Sequence, residues 1–279
     1  MAQKEINLID YCQFEEKYKK ILITGGLGFI GSNLTRRLVE RGNTITVVDS
    51  LIPEYGGNLR NLHDIQDKIT VSLSDVRDVP AINKLIHGHD FLFNLAGQTS
   101  HLDSMHDPIT DLDINAKAQL SILEACRKSN PEIRVVFAST RQIYGKPKYL
   151  PVNEKHPQNP VDVNGINKIA GEQYHILYQE VYGIASSVLR LTNTYGSRMR
   201  IKDARQTFLG IWIRNLLEGK PIQVFGDGKQ RRDYNYVEDV LDALLITATK
   251  EEAVCKVYNL GAPDPLSLEE TAKIMCQAI

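Results

Sequence analysis

The stretch that most constrains the fold of this chain is residues 20–31, KILITGGLGFIG. An apolar run of strand length enters a glycine-dense turn, and the turn opens directly into an amphipathic helical pattern. Two glycine patterns, G-x-G-x-x-G and G-x-x-G-x-x-G, overlap in it. Glycines here let the backbone turn tightly, approach a pyrophosphate and pack the helix closely on the strand. N–H groups at the helix start, aided by the helix dipole, then bind phosphates. The turn therefore predicts a bound dinucleotide, contacted by Gly25, Gly28, Phe29, Ile30 and Gly31.

An acidic residue ends the second predicted strand. The helical pattern 29–41 stops at Gly42-Asn43, strand 44–48 follows, and Asp49 closes it, with Ser50 beside it. A carboxylate there can accept both hydroxyls of an adenosine ribose and would repel a 2′-phosphate. Asp49 therefore favours NAD over NADP, and we expect Ser50 to contact the cofactor as well. The alternative is that Asp49 only caps a helix or a turn.

Strand-like and helical patterns alternate through the first two thirds of the chain. This alternation predicts an α/β fold, a doubly wound parallel sheet with ligands at the carboxyl ends of the strands. Strands are predicted at 20–24, 44–48, 68–72, 90–95, 133–138 and 185–190. Helices are predicted at 29–41, 77–87, 110–129 and 163–182.

The alternation of strand and helix patterns ends at about residue 195, and a smaller lobe is predicted after it. It has a basic loop at 198–205, a helix at 208–218, a short strand at 222–225, a helix starting near 236 and a capped helix at 267–278. We therefore expect an N-terminal extension (1–18), a dinucleotide-binding domain (19–195) with return segments from the C-terminal part, and a lobe that binds mainly substrate (196–279).

Composition excludes several classes of function. The 33 basic and 34 acidic residues nearly cancel, so no nucleic-acid surface is indicated. No apolar run approaches the roughly 20 residues that span a bilayer, and the N-terminus lacks the apolar stretch of a signal peptide. The four cysteines are far apart, which argues against disulfides and a zinc site. We expect a cytoplasmic protein without a bound metal.

Several strand ends carry residues suited to a cofactor. Asp75 and Val76 follow the third strand and can hydrogen-bond and cover an adenine ring, although Asp75 can equally be a turn residue. Leu95, Ala96 and Gly97 follow the fourth strand with small residues, as expected where backbone passes against a ligand.

Further polar residues are placed over the same cleft. Gln98 and His101 follow the fourth strand, and His101 can be an acid/base, a substrate hydrogen-bond donor or a structural residue. Thr140 ends the fifth strand with a hydroxyl at the cleft floor. Asn164 and Lys168 lie one turn apart on one helix face. Lys168 can bind a nicotinamide ribose, or it can be a solvated helix lysine.

The ordered motifs resemble the extended short-chain dehydrogenase/reductase family, specifically its nucleotide-sugar epimerases and dehydratases. The matching segments are 24–31, 47–50, 75–76, 94–97, 138–145, 168–172, 190–196, 225–228, 232–234 and 236–237. The resemblance implies a Rossmann domain that binds NAD, a small lobe that binds a nucleoside-diphosphate sugar, and a homodimer built on helices that include the one with Lys168. It also implies that Asn193 and Arg232 contact the substrate's diphosphate, a role suited to arginine.

Two departures limit what the resemblance implies. The family's catalytic motif is Tyr-x-x-x-Lys, but Asn164 stands where the tyrosine is expected. An amide does not ionise near neutral pH, so Asn164 cannot exchange the proton, although it can position substrate or a water.

The 4,6-dehydratases carry an Asp-Glu pair where this chain has Arg141-Gln142, which makes a dehydratase the weaker interpretation. We expect Gln98 and Arg141 to contact substrate. The chain is also short for the family, without its usual last segment.

Three functions stay open. The first is NAD-dependent epimerisation of a nucleoside-diphosphate sugar through a transient keto-sugar, with Lys168, His101 or a water held by Asn164 and Thr140 moving the proton. Reference pKa values near 10.4 for lysine and 6.5 for histidine mean that His101 needs less adjustment. The second is a net oxidoreductase or a decarboxylating enzyme. The third is a binding protein that has lost catalysis.

Overall fold

The structure is a computed structural model that describes residues 19–279, except 204 and 206. The predicted extension at 1–18 lies outside the described residues. The strands are β1 Lys20–Thr24, β2 Thr44–Val48, β3 Ile69–Ser72, β4 Phe91–Asn94, β5 Arg134–Thr140, β6 Ser186–Leu191, β7 Asn193–Tyr195, β8 Arg231–Arg232, β9 Tyr234–Tyr236, β10 Val257–Leu260 and β11 Leu266–Ser267. The helices are α1 Phe29–Glu40, α2 Val79–Ile86, α3 His101–His106, α4 Pro108–Leu112, α5 Ala118–Ser129, α6 Val163–Tyr182, α7 Phe208–Leu217, α8 Val237–Thr249 and α9 Leu268–Ala278.

Seven strands form one parallel sheet in the order β10-β6-β5-β4-β1-β2-β3. The chain starts at β1, runs outward through β2 and β3, and then crosses to β4 on the other side of β1. This reversal places a crevice at the carboxyl ends of β1 and β4, where ligands bind in such sheets. The predicted doubly wound parallel sheet is confirmed, and β10 adds an edge strand that the sequence patterns did not predict.

Alternating side chains of the strands pack into two apolar layers, one on each face of the sheet. Ile21 and Ile23 pack on one face with residues of α1 and α8, while Leu22 packs on the opposite face with residues of α2 and α5. Both faces of the sheet are covered, which explains why its strands read as nearly continuous apolar runs. Because α8 and β10 join this body, part of the segment after residue 195 belongs to the sheet.

Three local predictions differ from the structure. The helix predicted at 110–129 begins at Pro108, with Asp107 as its cap, and contains a π-helical turn over Asp113–Lys117 before α5. Residues 222–225 form no strand. Instead, the indole of Trp212 donates to the carbonyl of Gln223 at 3.2 Å. Finally, α3 forms where only a loop over the cleft was expected, because the Ser100 hydroxyl accepts from the Asp103 N–H.

The last part of the chain adds two small pairs of strands. β7 pairs with β9 in parallel, and β8 pairs with β11 in antiparallel. Its final helix, α9, begins at a capping box between Ser267 and Glu270, as the sequence indicated. None of the helices in the described part of the chain is both long and apolar enough to cross a membrane.

A buried ion pair joins α6 to the sheet. Glu172 on α6 is fully buried, and its carboxylate accepts from the guanidinium of Arg190 on β6 and from the hydroxyl of Ser139 on β5. Arg190 also donates to the phenol of Tyr144 at 2.6 Å. These bonds fix the end of β5 against α6, which is where the candidate catalytic side chains lie.

We predict that Glu172→Gln destabilises the protein by about 3–5 kcal/mol, because it leaves the buried guanidinium of Arg190 without its counter-charge. Urea unfolding followed by circular dichroism measures the change. Glu269→Gln is the control, since Glu269 pairs with Lys273 on the exposed surface of α9 and should cost less than about 1 kcal/mol. Equal losses in the two variants would contradict the assigned role of the Glu172–Arg190 pair.

Candidate active site

The candidate site is a cleft at the carboxyl edge of the sheet, with a cavity volume of about 290 Å³. The ends of β1, β2, β4, β5 and β6 all open into it. Most of the predicted site residues line it: Gly25, Gly28, Phe29, Ile30, Gly31, Asp49, Ser50, Asp75, Val76, Leu95, Ala96, Gly97, Thr140, Arg141, Asn164, Lys168 and Asn193. Gln98, His101 and Arg232 are not among the lining residues.

The glycine turn is shaped by contacts that a side chain would prevent. Gly25 has a φ of +69°, and a Cβ there would lie 3.0 Å from the main-chain nitrogen of Ala96. A Cβ on Gly31 would lie 2.3 Å from the carbonyl oxygen of Gly25. The first turn of α1 therefore packs directly on the loop, and its N–H groups open into the cleft. This cradle fits a dinucleotide pyrophosphate.

The hydroxyl of Thr24 ties the glycine turn to the loop after β4. It donates to the side-chain oxygen of Asn94 at 2.9 Å and accepts from the N–H groups of Leu95 and Ala96, each at 3.1 Å. Leu95, Ala96 and Gly97 are held beside the turn in this way. The small residues that the sequence singled out are thus the opposite wall of the cradle.

Asp49 is anchored at the end of β2 by the main chain. Its two carboxylate oxygens accept from the N–H groups of Leu27 at 3.1 Å and Leu51 at 3.0 Å. Burial raises the pKa of Asp49, and these two hydrogen bonds lower it. A carboxylate has about four acceptor positions, so both ribose hydroxyls can still be accepted.

Asp75 and Val76, which are predicted to contact the adenine, line the cleft beyond the end of β3. Asp75 forms a bidentate ion pair with Arg77, and the hydrogen bonds from that side chain lower its pKa. Val76 is buried and packs with the α2 layer. The carboxylate of Asp75 therefore has a protein partner, which the sequence did not indicate. Tyr55 also lines this cleft and was missed.

Lys168 is the buried cation of the site. Its side chain lies along α6, and its Nζ donates to the carbonyl of Ala138 at 3.2 Å and lies 5.0 Å from the centre of the Phe137 ring. Burial lowers the pKa of Lys168 to about 8, and the negative charge of Asp111 acts in the opposite direction. Lys168 is therefore not a solvated helix lysine, and both of its protonation states are accessible near neutral pH.

Thr140 and Asn164 face the same part of the cleft. The Thr140 oxygen accepts from the N–H of Gln142 at 3.2 Å, which leaves its hydroxyl proton for a ligand. The Asn164 amide donates to the carbonyl of Gln98 at 2.7 Å and to the carboxylate of Asp111 at 3.0 Å. Both side chains can hold a substrate hydroxyl, but neither titrates near neutral pH.

Three predicted site residues, Gln98, His101 and Arg232, do not line the cleft. His101 begins α3, and its imidazole pairs with the carboxylate of Asp162, the cap of α6, at 2.8 Å. The side chain of Gln98 is buried and exchanges hydrogen bonds with the main chain of Ser100. Both side chains thus have protein partners, and the roles of His101 as an acid/base and of Gln98 as a substrate contact stay predictions.

Polar groups for an anion gather at the opposite end. Arg141 donates to the side-chain oxygen of Asn193 over 3.4 Å, and Asn193 donates to the carbonyl of Asp233 at 3.0 Å. Desolvation and the nearby charge of Arg232 lower the pKa of Arg141, and Asp233 raises it. No carboxylate lies within ion-pair distance of Arg141 in the part of the chain that the structure describes.

The sequence patterns missed the polar cluster behind the cleft. Asp111 is fully buried and accepts from the amide groups of Asn115, Asn164 and Asn167. Its signal was present as helical spacing, with Asp111 four residues before Asn115 and Asn164 three before Asn167. The spacing does not show that the packing of α4 against α6 brings the two pairs together. Among residues 19–203, 205 and 207–279, no cluster of acidic, histidine or cysteine side chains could hold a metal ion.

The match to a protein-family model shows the family to which the chain belongs. The model of the NAD dependent epimerase/dehydratase family matches residues 21–261. The chain belongs to this family. Family membership confirms the resemblance found in the sequence, and with the cradle at Gly25–Gly31 it confirms NAD as the cofactor.

Individual relatives show how the family varies. The chain is 34% identical to a putative UDP-glucose 4-epimerase of Methanocaldococcus jannaschii, over 91% of this chain and 81% of that protein. It is 31% identical to a UDP-N-acetyl-alpha-D-glucosaminuronate decarboxylase of Bacillus cytotoxicus, over 91% and 78%. A solved UDP-glucose 4-epimerase of Thermotoga maritima with UDP-glucose superimposes with a TM-score of 0.85, at 30% identity over 92% and 82%. The domain boundaries, the residue roles, the homodimer and the cytoplasmic location stay predictions.

We predict that Asp49→Asn weakens NAD binding about 10- to 150-fold, because charge-assisted hydrogen bonds contribute about 1.5–3 kcal/mol. Titration of the purified protein with NAD, followed by calorimetry, measures the change. Asp90→Asn is the matched control, because Asp90 also accepts a main-chain N–H, from Lys20, but does not line the cleft. An unchanged NAD affinity in Asp49→Asn would rule out the ribose contact.

Proposed function

We propose that the protein is an NAD-dependent epimerase of a nucleoside-diphosphate sugar, acting through a transient keto-sugar with the bound NAD recycled. The observation that carries the proposal is Lys168, a buried lysine with a pKa of about 8 in the same cleft as the glycine cradle. Thr140 and Asn164 line that cleft beside it. The similarity to the Methanocaldococcus and Thermotoga proteins supports an epimerase.

The proposed chemistry separates a hydride from a proton. NAD held by the glycine cradle would supply the hydride acceptor for the sugar carbon and the hydride donor for the opposite face of the ketone. The neutral amine of Lys168 takes the proton of the sugar hydroxyl and returns it when the ketone is reduced. Thr140 orients the hydroxyl. Because hydride and proton both return, the two sugars differ only in configuration.

We assign the proton transfer to Lys168 because the other candidate side chains do not fit this role. Asn164 replaces the family tyrosine and cannot ionise. The imidazole of His101 lies outside the cleft and pairs with Asp162. A group with a pKa near the working pH is the most effective proton carrier, and burial gives Lys168 that property.

The substrate's charged end is assigned to the arginines. Asn193 lines the cleft beside Arg141, and Arg232 is near enough for its charge to lower the pKa of Arg141. Guanidinium groups bind phosphate oxygens with fixed geometry and permanent charge. A diphosphate would neutralise the mutual repulsion of the two arginines, which supports a nucleoside-diphosphate sugar as the substrate.

A second candidate function is favoured by Arg141, which follows Thr140 directly and lacks an acidic partner among the described residues. Such a guanidinium suits a sugar that carries its own carboxylate. Oxidation of the carbon β to that carboxylate would give a ketone that accepts the electron pair as carbon dioxide leaves. The similarity to the Bacillus decarboxylase supports this alternative, which is a decarboxylating use of the same site.

One experiment separates the candidates. The NAD-loaded protein is incubated with UDP-, dTDP-, GDP- and CDP-sugars, including UDP-glucuronic acid, and products are followed by NMR, absorbance of NADH and carbon dioxide release. We expect a new epimer without accumulating NADH. Carbon dioxide or NADH would favour the second candidate. Tight NAD binding without any turnover, together with activity gained in Asn164→Tyr, would indicate a binding protein.

We predict that kcat/KM rises about tenfold per pH unit below pH 8 and levels off above it, because only the neutral amine of Lys168 accepts a proton. The rise should lie near the lowered pKa of about 8. Lys168→Arg should remove both the activity and the rise, since a guanidinium stays protonated. Rates between about pH 6 and pH 10 test this, and a flat profile or an active Lys168→Arg variant would contradict it.

A further inference from the structure

A buried carboxylate behind the cleft contacts neither substrate nor cofactor in the chemistry proposed above, although its charge raises the pKa of Lys168. Asp111 at the end of α4 is fully buried and accepts three amide hydrogen bonds. One oxygen accepts from Asn167 at 2.8 Å, and the other accepts from Asn115 and Asn164, each at 3.0 Å. We call these four residues the Asp111 cluster. It joins α4, the π-helical turn and α6.

The charge of Asp111 is balanced by amides and not by a bound cation. No lysine, arginine or histidine among the described residues lies within ion-pair distance of it. Burying a charge without partners is costly, and three N–H donors offset that cost. A less costly core would use apolar side chains here, so the cluster calls for a functional reason.

The cluster fixes which end of the Asn164 amide faces the cleft. Both N–H bonds of Asn164 are used, one to the carbonyl of Gln98 at 2.7 Å and one to Asp111 at 3.0 Å. The reversed amide would point its oxygen at two acceptors, which is electrostatically unfavourable. The side-chain oxygen of Asn164 is therefore the atom left for a ligand in the cleft, which Asn164 lines.

Asn115 repeats this arrangement. Its N–H bonds go to the carbonyl of Gln98 at 2.9 Å and to Asp111 at 3.0 Å. Its side-chain oxygen is buried and has no hydrogen-bond partner. That oxygen and the Nζ of Lys168 lie 2.9 Å and 3.0 Å from the point that a Cβ on Gly97 would occupy. The Asp111 carboxylate thus orients two amide groups, and the buried oxygen of Asn115 and the Lys168 amine both lie near Gly97.

We propose that Asp111 is a positioning residue, which holds the Asn164 oxygen toward the cleft so that the site selects a sugar hydroxyl that donates a hydrogen bond. The inference rests on the proposed function for the identity of that hydroxyl. Oxidation to a ketone removes the donated proton, so this contact recognises the hydroxyl form of the substrate. Asn164 would then accept the hydrogen bond of the resting hydroxyl, and the O–H turns from Asn164 to the neutral amine of Lys168 when its proton is transferred.

The test compares Asp111→Leu with Asn167→Ala. Asp111→Leu removes both carboxylate oxygens, so the Asn164 amide keeps its hydrogen bond to Gln98 but loses the one that fixes its orientation. Asn167→Ala also removes one hydrogen bond from the cluster but leaves both bonds of Asn164 in place, so it is the matched structural control. The readouts are kcat and KM on the sugar nucleotide that wild type turns over, NAD affinity, and exchange of the ¹⁵N-labelled asparagine side-chain protons. Asn164→Leu assigns the Asn164 signal and removes the acceptor directly.

We expect Asp111→Leu to lower kcat at least ~10-fold, a loss of about 1.4 kcal/mol, when it is measured above pH 8, where the Lys168 amine is neutral. NAD affinity should stay within about twofold of wild type. Its Asn164 side-chain protons should exchange rapidly, whereas those of wild type and Asn167→Ala are protected. Asn167→Ala should lower Tm and keep its kcat. Should Asp111→Leu fail to fold, Asn164→Leu must show the same loss of kcat.

Any of three results would overturn the inference. The first is a wild-type kcat in Asp111→Leu or in Asn164→Leu, and the second is an equal loss of kcat in Asn167→Ala. The third is rapid exchange of the Asn164 protons in wild type. The exchange measurement needs no substrate. Failure of the proposed function, seen as no turnover by wild type, is therefore distinct from failure of the Asp111 assignment.

Discussion

The fold and the cofactor site both depend on one close approach, that of the first turn of α1 to the glycine turn after β1. The carbonyl of Gly25 lies where a side chain on Gly31 would begin, and Thr24 fastens the same turn to the loop after β4. Because β1 and β4 are the strands at which the sheet reverses direction, this contact closes the crevice and shapes it. The sheet order, the helix position and the phosphate cradle are consequences of the same packing.

Helix α6, which carries Lys168 and Asn164, is held by polar groups at two levels. Glu172 pairs with Arg190 and Ser139 toward the sheet, and Asn164 and Asn167 bind Asp111 toward α4. Lys168 lies between them, removed from water, which is why its pKa falls to about 8. A helix packed only through apolar side chains would not fix the orientation of the Lys168 amine and the Asn164 oxygen in this way.

The sequence predicted most of the cofactor half of the site. The glycine turn, Asp49, Val76 and the small residues after β4 all line the cleft, because each follows a strand directly and local geometry decides its place. The sequence did not indicate the contacts that form where the chain leaves the strand ends. His101 pairs with Asp162, the cap of α6, and Gln98 binds the main chain of Ser100. These contacts depend on how the loop after β4 packs, which residue spacing does not show. The edge strand β10 was missed because only its pairing with β6 marks it as part of the sheet.

The sequence by itself determined the parallel α/β fold, the dinucleotide cradle and the loss of the family tyrosine at Asn164, since each depends on residue type and spacing over a short stretch. The tertiary structure decided the rest. It buried Lys168, removed His101 from the cleft, and brought Asp111 to Asn164 across 53 residues of chain. The reason is physical. Backbone turns and strand periods are local, whereas the pKa of an amine and the orientation of an amide are set by the atoms that the folded chain packs around them.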